Sequence, residues 1–145
     1  QTTGRGNFYL QPNGVFYTTA DGRAVVCPTK QFEANNVRFA TQSGPMLVVD
    51  GQIPGLFGRQ STNLNIRNGV GILPNGHALF VLSKGPVSFY EFASYFAERG
   101  CRNALYLDGA ISRTYYPAAG WEQLDGELGV LVGVTEPVAG RSGSK

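Results

Sequence analysis

The feature that most constrains the fold is the placing of Asn-Gly and Asp-Gly pairs between short aromatic and β-branched runs. In the first thirty residues NFYL, QPNG, VFYTT, ADG and RAVVCP follow one another. Such pairs supply the left-handed backbone that a tight hairpin turn needs, so this region is read as antiparallel strands. VRFATQ and PMLVVDGQI extend the pattern as two strands joined at Ser43-Gly44-Pro45. IRNGVGIL, PNG and HALFVLSK make another hairpin. Residues 54–65, PGLFGRQSTNLN, are read as an irregular loop. NALYLD reads as a buried strand, and ELGVLVGVTE is expected to close the sheet.

One stretch has the helical period. In SFYEFASYFAERG, Phe89, Phe92, Ala93 and Phe96 share a face. Ser88 with Glu91 three places on forms a capping box, and Gly100 supplies the stop. The expectation is a helix over 88–99. A second, short helix is expected at about 29–35, in TKQFEANN, with Thr29 as its cap. The fold class is therefore α+β: mostly antiparallel or mixed β-sheet with one long and one short helix.

A chain of 145 residues is one domain by size and buries enough surface for a core of its own. Twelve Lys and Arg against ten Asp and Glu leave no electrostatic footprint for nucleic acid. Nine of the twelve cations are arginine, the residue whose planar fork suits carboxylate or phosphate. Cys27 and Cys101 have no metal-ligand spacing and are read as two buried thiols rather than a disulfide. No apolar run is long enough to cross a bilayer as a helix. The sequence begins with Gln1 and carries no leader, so either a leader has been removed or it starts partway into a longer protein.

Three stretches put polar groups at strand ends. ATQSGP offers Gln42, Ser43 and the backbone amides about Gly44. IRNG places Arg67 and Asn68 between apolar neighbours, where an arginine ordinarily meets an anion from the protein or a ligand. LDGAIS ends an apolar run on Asp108 and Gly109, with Ser112 beyond. Each has a plain alternative. Asp108-Gly109 is also a turn former, Arg67 is able to pair with Asp108 or Asp50 and merely hold the fold, and Gln42 and Ser43 suit a turn. His77 follows Asn75-Gly76 in a hairpin and is expected in solvent, which argues against a Ser-His-Asp or Cys-His arrangement. Nucleotide-loop, dinucleotide and HExxH patterns are absent from the sequence.

Taken in order, GNFYLQPNGVFY, VRFATQSGPMLVVDGQI, IRNGVGILPNG and PVSFYEFASYFAERGCRNALYLDGAIS resemble the phosphodiester glycosidase family, in its uncharacterised bacterial branch. The chain departs from the family's A-L-N-L-D-G-G-G-S ending at Tyr106, Ala110 and Ile111, and matches it at Asp108, Gly109 and Ser112. The resemblance also implies a preceding segment with an Asn-Gly or Asn-Ala-Gly motif. The expectation is a single domain over 1–137 lacking that segment, with a Gly- and Ser-rich flexible tail over 138–145.

The resemblance implies hydrolysis of a sugar C1–O–phosphate linkage. It gives Arg67 the departing phosphate and Asp108 the sugar or the water, as base, nucleophile or stabiliser of a cationic ring. Gln42, Ser43, Gly44, Asn68, Tyr106, Gly109 and Ser112 would bind substrate, and Tyr115 and Tyr116 offer further aromatic faces. No cofactor is implied, although a carboxylate such as Asp50 or Asp108 is chemically able to hold Ca²⁺ or Mg²⁺. The expected partner is a sugar phosphate or glycan, and the expected location is the bacterial envelope or periplasm. The alternatives are a non-catalytic sugar-phosphate binding module and a structural piece of an envelope protein.

Overall fold

The computed structural model describes residues 10–108, 112–126 and 131–135. Its strands are β1 (Gly14–Thr19), β2 (Ala24–Pro28), β3 (Val37–Ser43), β4 (Met46–Val48), β5 (Asn68–Ile72), β6 (Ala78–Leu82), β7 (Ala104–Tyr106), β8 (Tyr115–Tyr116) and β9 (Trp121–Glu122), with one helix, α1 (Phe89–Glu98). A three-stranded sheet runs in the order β2-β1-β3 and a four-stranded sheet in the order β4-β7-β5-β6. All the pairings are antiparallel. The α+β expectation holds in its broad form.

Residue alternation along β5 organises the layers. Val70 packs with Phe16, Val26, Met46 and Leu105, where the two sheets face each other. Its neighbours Gly69 and Gly71 turn the other way, under α1. A Cβ on Gly71 would stand 2.6 Å from Phe96 Cδ1 and 2.9 Å from Cys101 Sγ, so the helix lies against bare backbone. Phe89, Phe92, Ala93 and Phe96, the face read from the helical period, are the buried residues of α1. They join Leu47, Phe57, Ala104 and Tyr106 in the larger core cluster. Burying such a side chain contributes about 1.5–3 kcal/mol, so this face is what holds the helix on the sheet.

Ser88 caps α1 as expected: its hydroxyl accepts from Glu91 N at 3.1 Å, and Glu91 Oε2 accepts from Ser88 N at 2.8 Å. The short helix is corrected. Thr29–Gln31 form a single 3-10 turn preceded by Pro28, and no side-chain cap bond is made. Phe32 is already extended and Asn36 has a left-handed backbone, so the chain turns toward β3 before an α-helical turn closes. The strand expected in NFYL falls outside the described residues except for Leu10, which lies in a bend. Of ELGVLVGVTE, residues 131–135 join no sheet among the described residues and stand in solvent. Gly133 interrupts that apolar run and weakens any strand interior. The remainder of that stretch, and the 138–145 tail, lie outside the described residues. The two cysteines are free, with Cys101 buried and Cys27 half-buried.

Candidate functional site

The end of β7 is where the three polar stretches meet. On one side β7 pairs with β5, Tyr106 opposite Gly69, and Leu107 N donates to Asn68 O at 2.8 Å. Arg67 directly precedes Asn68 and Asp108 directly follows Leu107, so both lie just beyond the last paired residues of β5 and β7. On the other side Tyr106 N donates to Pro45 O at 3.1 Å, which brings Ser43 and Gly44 to the same end. Segments far apart in sequence converge because β7 is the inner strand between β4 and β5.

Asp108 is exposed and has φ of 59°, a left-handed backbone that aspartate tolerates better than most residues. This turn stops the strand and lifts the carboxylate-bearing residue out of the ladder. The chain beyond it is tied back: Ser112 Oγ donates to Asp108 O at 2.9 Å, and Asn68 Nδ2 donates to Ser112 Oγ at 2.9 Å. Asn68, Ser112 and Asp108 therefore form one connected polar group. Gly109 lies outside the described residues.

Arg67 belongs to the α1 side of the sheet. It is 1% exposed. Its Nε donates to Val87 O and its Nη2 to Asn63 O, both at 2.9 Å. The guanidinium lies on the Phe89 ring, with Cζ 3.5 Å from the ring centroid, and 5.8 Å from that of Tyr106. Burial pushes its pKa below the usual arginine value, and interaction with the Tyr106 phenol partly opposes this. Arginine stays charged nonetheless. The ion pairs among the described residues are Arg23–Asp21, Arg102–Asp50 and Arg113–Asp125, so Arg67 pairs with neither Asp50 nor Asp108. Its charge is balanced by carbonyls and aromatic faces instead.

Tyr106 is fully buried and meets Phe89 edge-on at 5.0 Å, so its ring is core and presents no open face. Tyr115 and Tyr116 are exposed on β8. Gln42 is exposed on β3 and donates to Thr29 Oγ1 at 3.4 Å, while Ser43 ends the same strand. Gly44 is buried, and any Cβ there would collide with Asn13 Oδ1. Asn13 was read only as a hairpin residue, yet it is 8% exposed and its Oδ1 has no hydrogen-bond partner among the described residues. His77 is exposed, in the loop between β5 and β6.

For a divalent cation, the donor set offers little around Asp50, whose carboxylate is bound by Arg102 Nε and Nη2 at 3.0 Å. Among the described residues no three His, Cys, Asp or Glu side chains gather into a metal-holding group. No helix among them is long and apolar enough to cross a membrane.

With the strand ends and their polar residues in place, comparison with known proteins supplies the class. A family model described as phosphodiester glycosidase matches residues 3–137, and the chain belongs to that family. The particular relative found is the uncharacterized protein YigE of Escherichia coli (strain K12), 41% identical over 114 residues. That match covers 78% of this chain and 45% of YigE, so the chain spans less than half of its relative's length. A crystal structure of a hypothetical protein from Synechocystis aligns with 77% of this chain and 33% of its own. At 17% identity and a TM-score of 0.38, it is too remote to carry an argument.

Proposed function

We propose that this protein hydrolyses glycosyl phosphodiesters, with Asp108 as the acting carboxylate. In the reaction an oxygen of water bonds to sugar C1 as the C1–O bond to phosphorus breaks. The bridging oxygen keeps the electron pair and leaves on a phosphate monoester, and the proton lost by water passes to a carboxylate or to solvent. The products are a free sugar and a phosphate monoester or, from a nucleotide sugar such as UDP-N-acetylglucosamine, a nucleoside diphosphate whose terminal phosphate keeps the bridging oxygen. A phosphate monoester is a far better leaving group than a sugar alkoxide, so the departing oxygen needs little protonation. This separates the reaction from ordinary glycoside hydrolysis, in which two carboxylates flank the bond.

The observation that carries the reading is the Asn68–Ser112–Asp108 group at the end of β7, in a chain of this family. Asn68 and Ser112 fix the chain on both sides of the Asp108 turn, and the exposed carboxylate is the one charged group of that trio. A left-handed non-glycine residue held this way is the kind of local strain that functional sites keep. In this proposal the buried Arg67 acts without touching the substrate. Its buried charge stabilises negative charge gathering at the strand end, while its hydrogen bonds hold the 63–67 and 83–87 segments together. Gln42, Ser43 and the Gly44 backbone bind sugar hydroxyls in this proposal. We place this chemistry in the bacterial envelope, on glycans or sugar phosphates.

The test is release of free N-acetylglucosamine from UDP-N-acetylglucosamine by the protein. Release supports the reading. Saturable binding of the nucleotide sugar with no sugar released at any pH replaces it with a non-catalytic binding module.

A further inference from the structure

Next to Ser112, at the end of the four-stranded sheet where β5 begins and β6 ends, lies an open cavity of about 400 Å³. That volume falls in the range of small-molecule sites. Its wall carries Ser83, Lys84, Ser112, Arg113, Trp121 and Gln123, with two cations and no carboxylate among the lining residues. Trp121 and Gln123 come from the β8–β9 hairpin region and Lys84 from the end of β6, so the cavity is made only when that hairpin folds over the sheet.

The wall is arranged in three parts. Lys84 Nζ lies over the Trp121 ring, 5.3 Å from its centroid. Lys84 is exposed and enters no ion pair among the described residues. Arg113 is held in place: Nε and Nη2 donate to Asp125 Oδ2 at 3.1 and 3.0 Å, and Nη1 donates to Ser112 O at 3.1 Å. These use three of the five N–H groups a guanidinium carries. Ser83 Oγ accepts from Arg67 N at 2.9 Å, which links the cavity to the segment that leads into β5. A cavity with one ammonium outside any ion pair among the described residues, one oriented guanidinium and an indole suits an anion carrying a flat organic group.

We propose that this cavity is the leaving-group site: it takes a phosphate monoester, the phosphate between Lys84 and Arg113 and the organic part against Trp121. The assignment rests on the hydrolase reading for the word leaving-group, since Ser112 is shared between the cavity and the Asp108 group. Binding itself does not depend on turnover. With Arg67 buried under Phe89 and Tyr106, Lys84 and Arg113 are the cations near Ser112 that a ligand reaches.

Trp121 is the sole tryptophan of the chain, so its emission reports on this wall alone. The full chain is titrated with uridine monophosphate, uridine and inorganic phosphate while Trp121 emission is followed. The expected result is a saturable change with uridine monophosphate, at about tenfold or more higher affinity than either comparator. A charge-assisted hydrogen bond to the phosphate separates uridine monophosphate from uridine, and stacking of the base on Trp121 separates it from inorganic phosphate, each by about that factor. Lys84→Met weakens uridine monophosphate by about tenfold or more, while Lys30→Met, in the 3-10 turn and not among the lining residues, leaves it unchanged. An unmoved emission, equal affinity for inorganic phosphate, or a Lys84→Met variant that binds like the parent overturns the assignment. A protein that binds as expected but releases no sugar from UDP-N-acetylglucosamine keeps the phosphate site and loses the hydrolase. One that releases sugar while Lys84→Met leaves both KM and uridine monophosphate affinity unchanged loses the site and keeps the hydrolase.

Discussion

The side-chain amide of Asn68 donates to the hydroxyl of Ser112 at 2.9 Å, binding the start of β5 to the chain that follows Asp108. The same hydroxyl donates to Asp108 O, so a single serine ties together two segments more than forty residues apart.

That relationship predicts a split between stability and activity. Asn68→Ala removes one half-buried hydrogen bond, a loss of about 1 kcal/mol. In the hydrolase reading it also frees the turn that carries Asp108, and misplacement of a catalytic group by an ångström lowers turnover by about a hundredfold. Urea unfolding and sugar release, measured side by side, are expected to show a small shift in the first and a large fall in the second. A fall in both by the same free energy would leave Asn68 a structural residue only.

Arg67→Met is expected to lower stability as well as turnover. It removes the cation stacked on Phe89 and leaves Asn63 O without the donor it now has. Val87 O keeps a second donor, Asn65 N at 3.1 Å, so the loss is shared unequally. The sum is about 3 kcal/mol, read as a lower urea midpoint at unchanged slope. Arg67→Lys is expected to recover only part of it, because an ammonium has no fork to span the two carbonyls.

The glycines of β5 set the height of α1. Gly71→Ala puts a methyl against Phe96 and the Cys101 thiol, and such overpacking costs about 1–3 kcal/mol. The variant is expected to unfold at lower temperature, with the helix signal and the tertiary signal lost together. A thermal scan at two wavelengths reads this directly.

The capping box makes a pH-dependent contribution. Hydrogen bonds from Ser88 N and Oγ hold the Glu91 carboxyl below its ordinary pKa. A folded-state pKa below the unfolded one means that this stabilisation is fully present above the unfolded value, about 4.3, and is lost as pH falls through the folded value. Glu91→Gln is therefore expected to flatten the stability curve on the acid side of pH 5 and to leave it unchanged at neutral pH except for a constant offset. Denaturant midpoints from pH 3 to pH 7 measure the difference.

Much of this fold was legible because its signals are local. Ser88 and Glu91 announced α1, and Phe89, Phe92, Ala93 and Phe96 gave its buried face. Asn-Gly and Asp-Gly pairs marked the hairpins of β1–β2 and β5–β6. Sheet membership was not legible: β3 and β4 are neighbours in sequence, yet they enter different sheets, and nothing local states that Pro45 O will face Tyr106 N. The TKQFEANN stretch misled because its composition suits a helix, while Pro28 and the left-handed Asn36 confine it to one 3-10 turn.

The site was legible in its parts and not in its assignments. The three polar stretches read as strand ends, and backbone bonds from Tyr106 N to Pro45 O and from Leu107 N to Asn68 O bring those ends to β7. An arginine near a core ordinarily meets an anion from the protein or a ligand, and among the described residues no protein carboxylate pairs with Arg67. Its counterpart is Phe89, brought from α1, and an aromatic twenty-two positions away carries no sequence mark of that role. Trp121 and Lys84 carry no such mark either: their contact exists only once the β8–β9 hairpin lies beside the end of β6.

The central claim is that the carboxylate of Asp108 acts on the substrate, and Asp108→Asn tests it most directly. Asparagine keeps the left-handed backbone and the size of the side chain while removing the charge. Sugar release from UDP-N-acetylglucosamine is measured for parent and variant, with urea unfolding as the control. The account predicts unfolding curves that superimpose and a turnover lowered by about a hundredfold to ten-thousandfold. A variant that unfolds like the parent and releases sugar at the parent rate contradicts it.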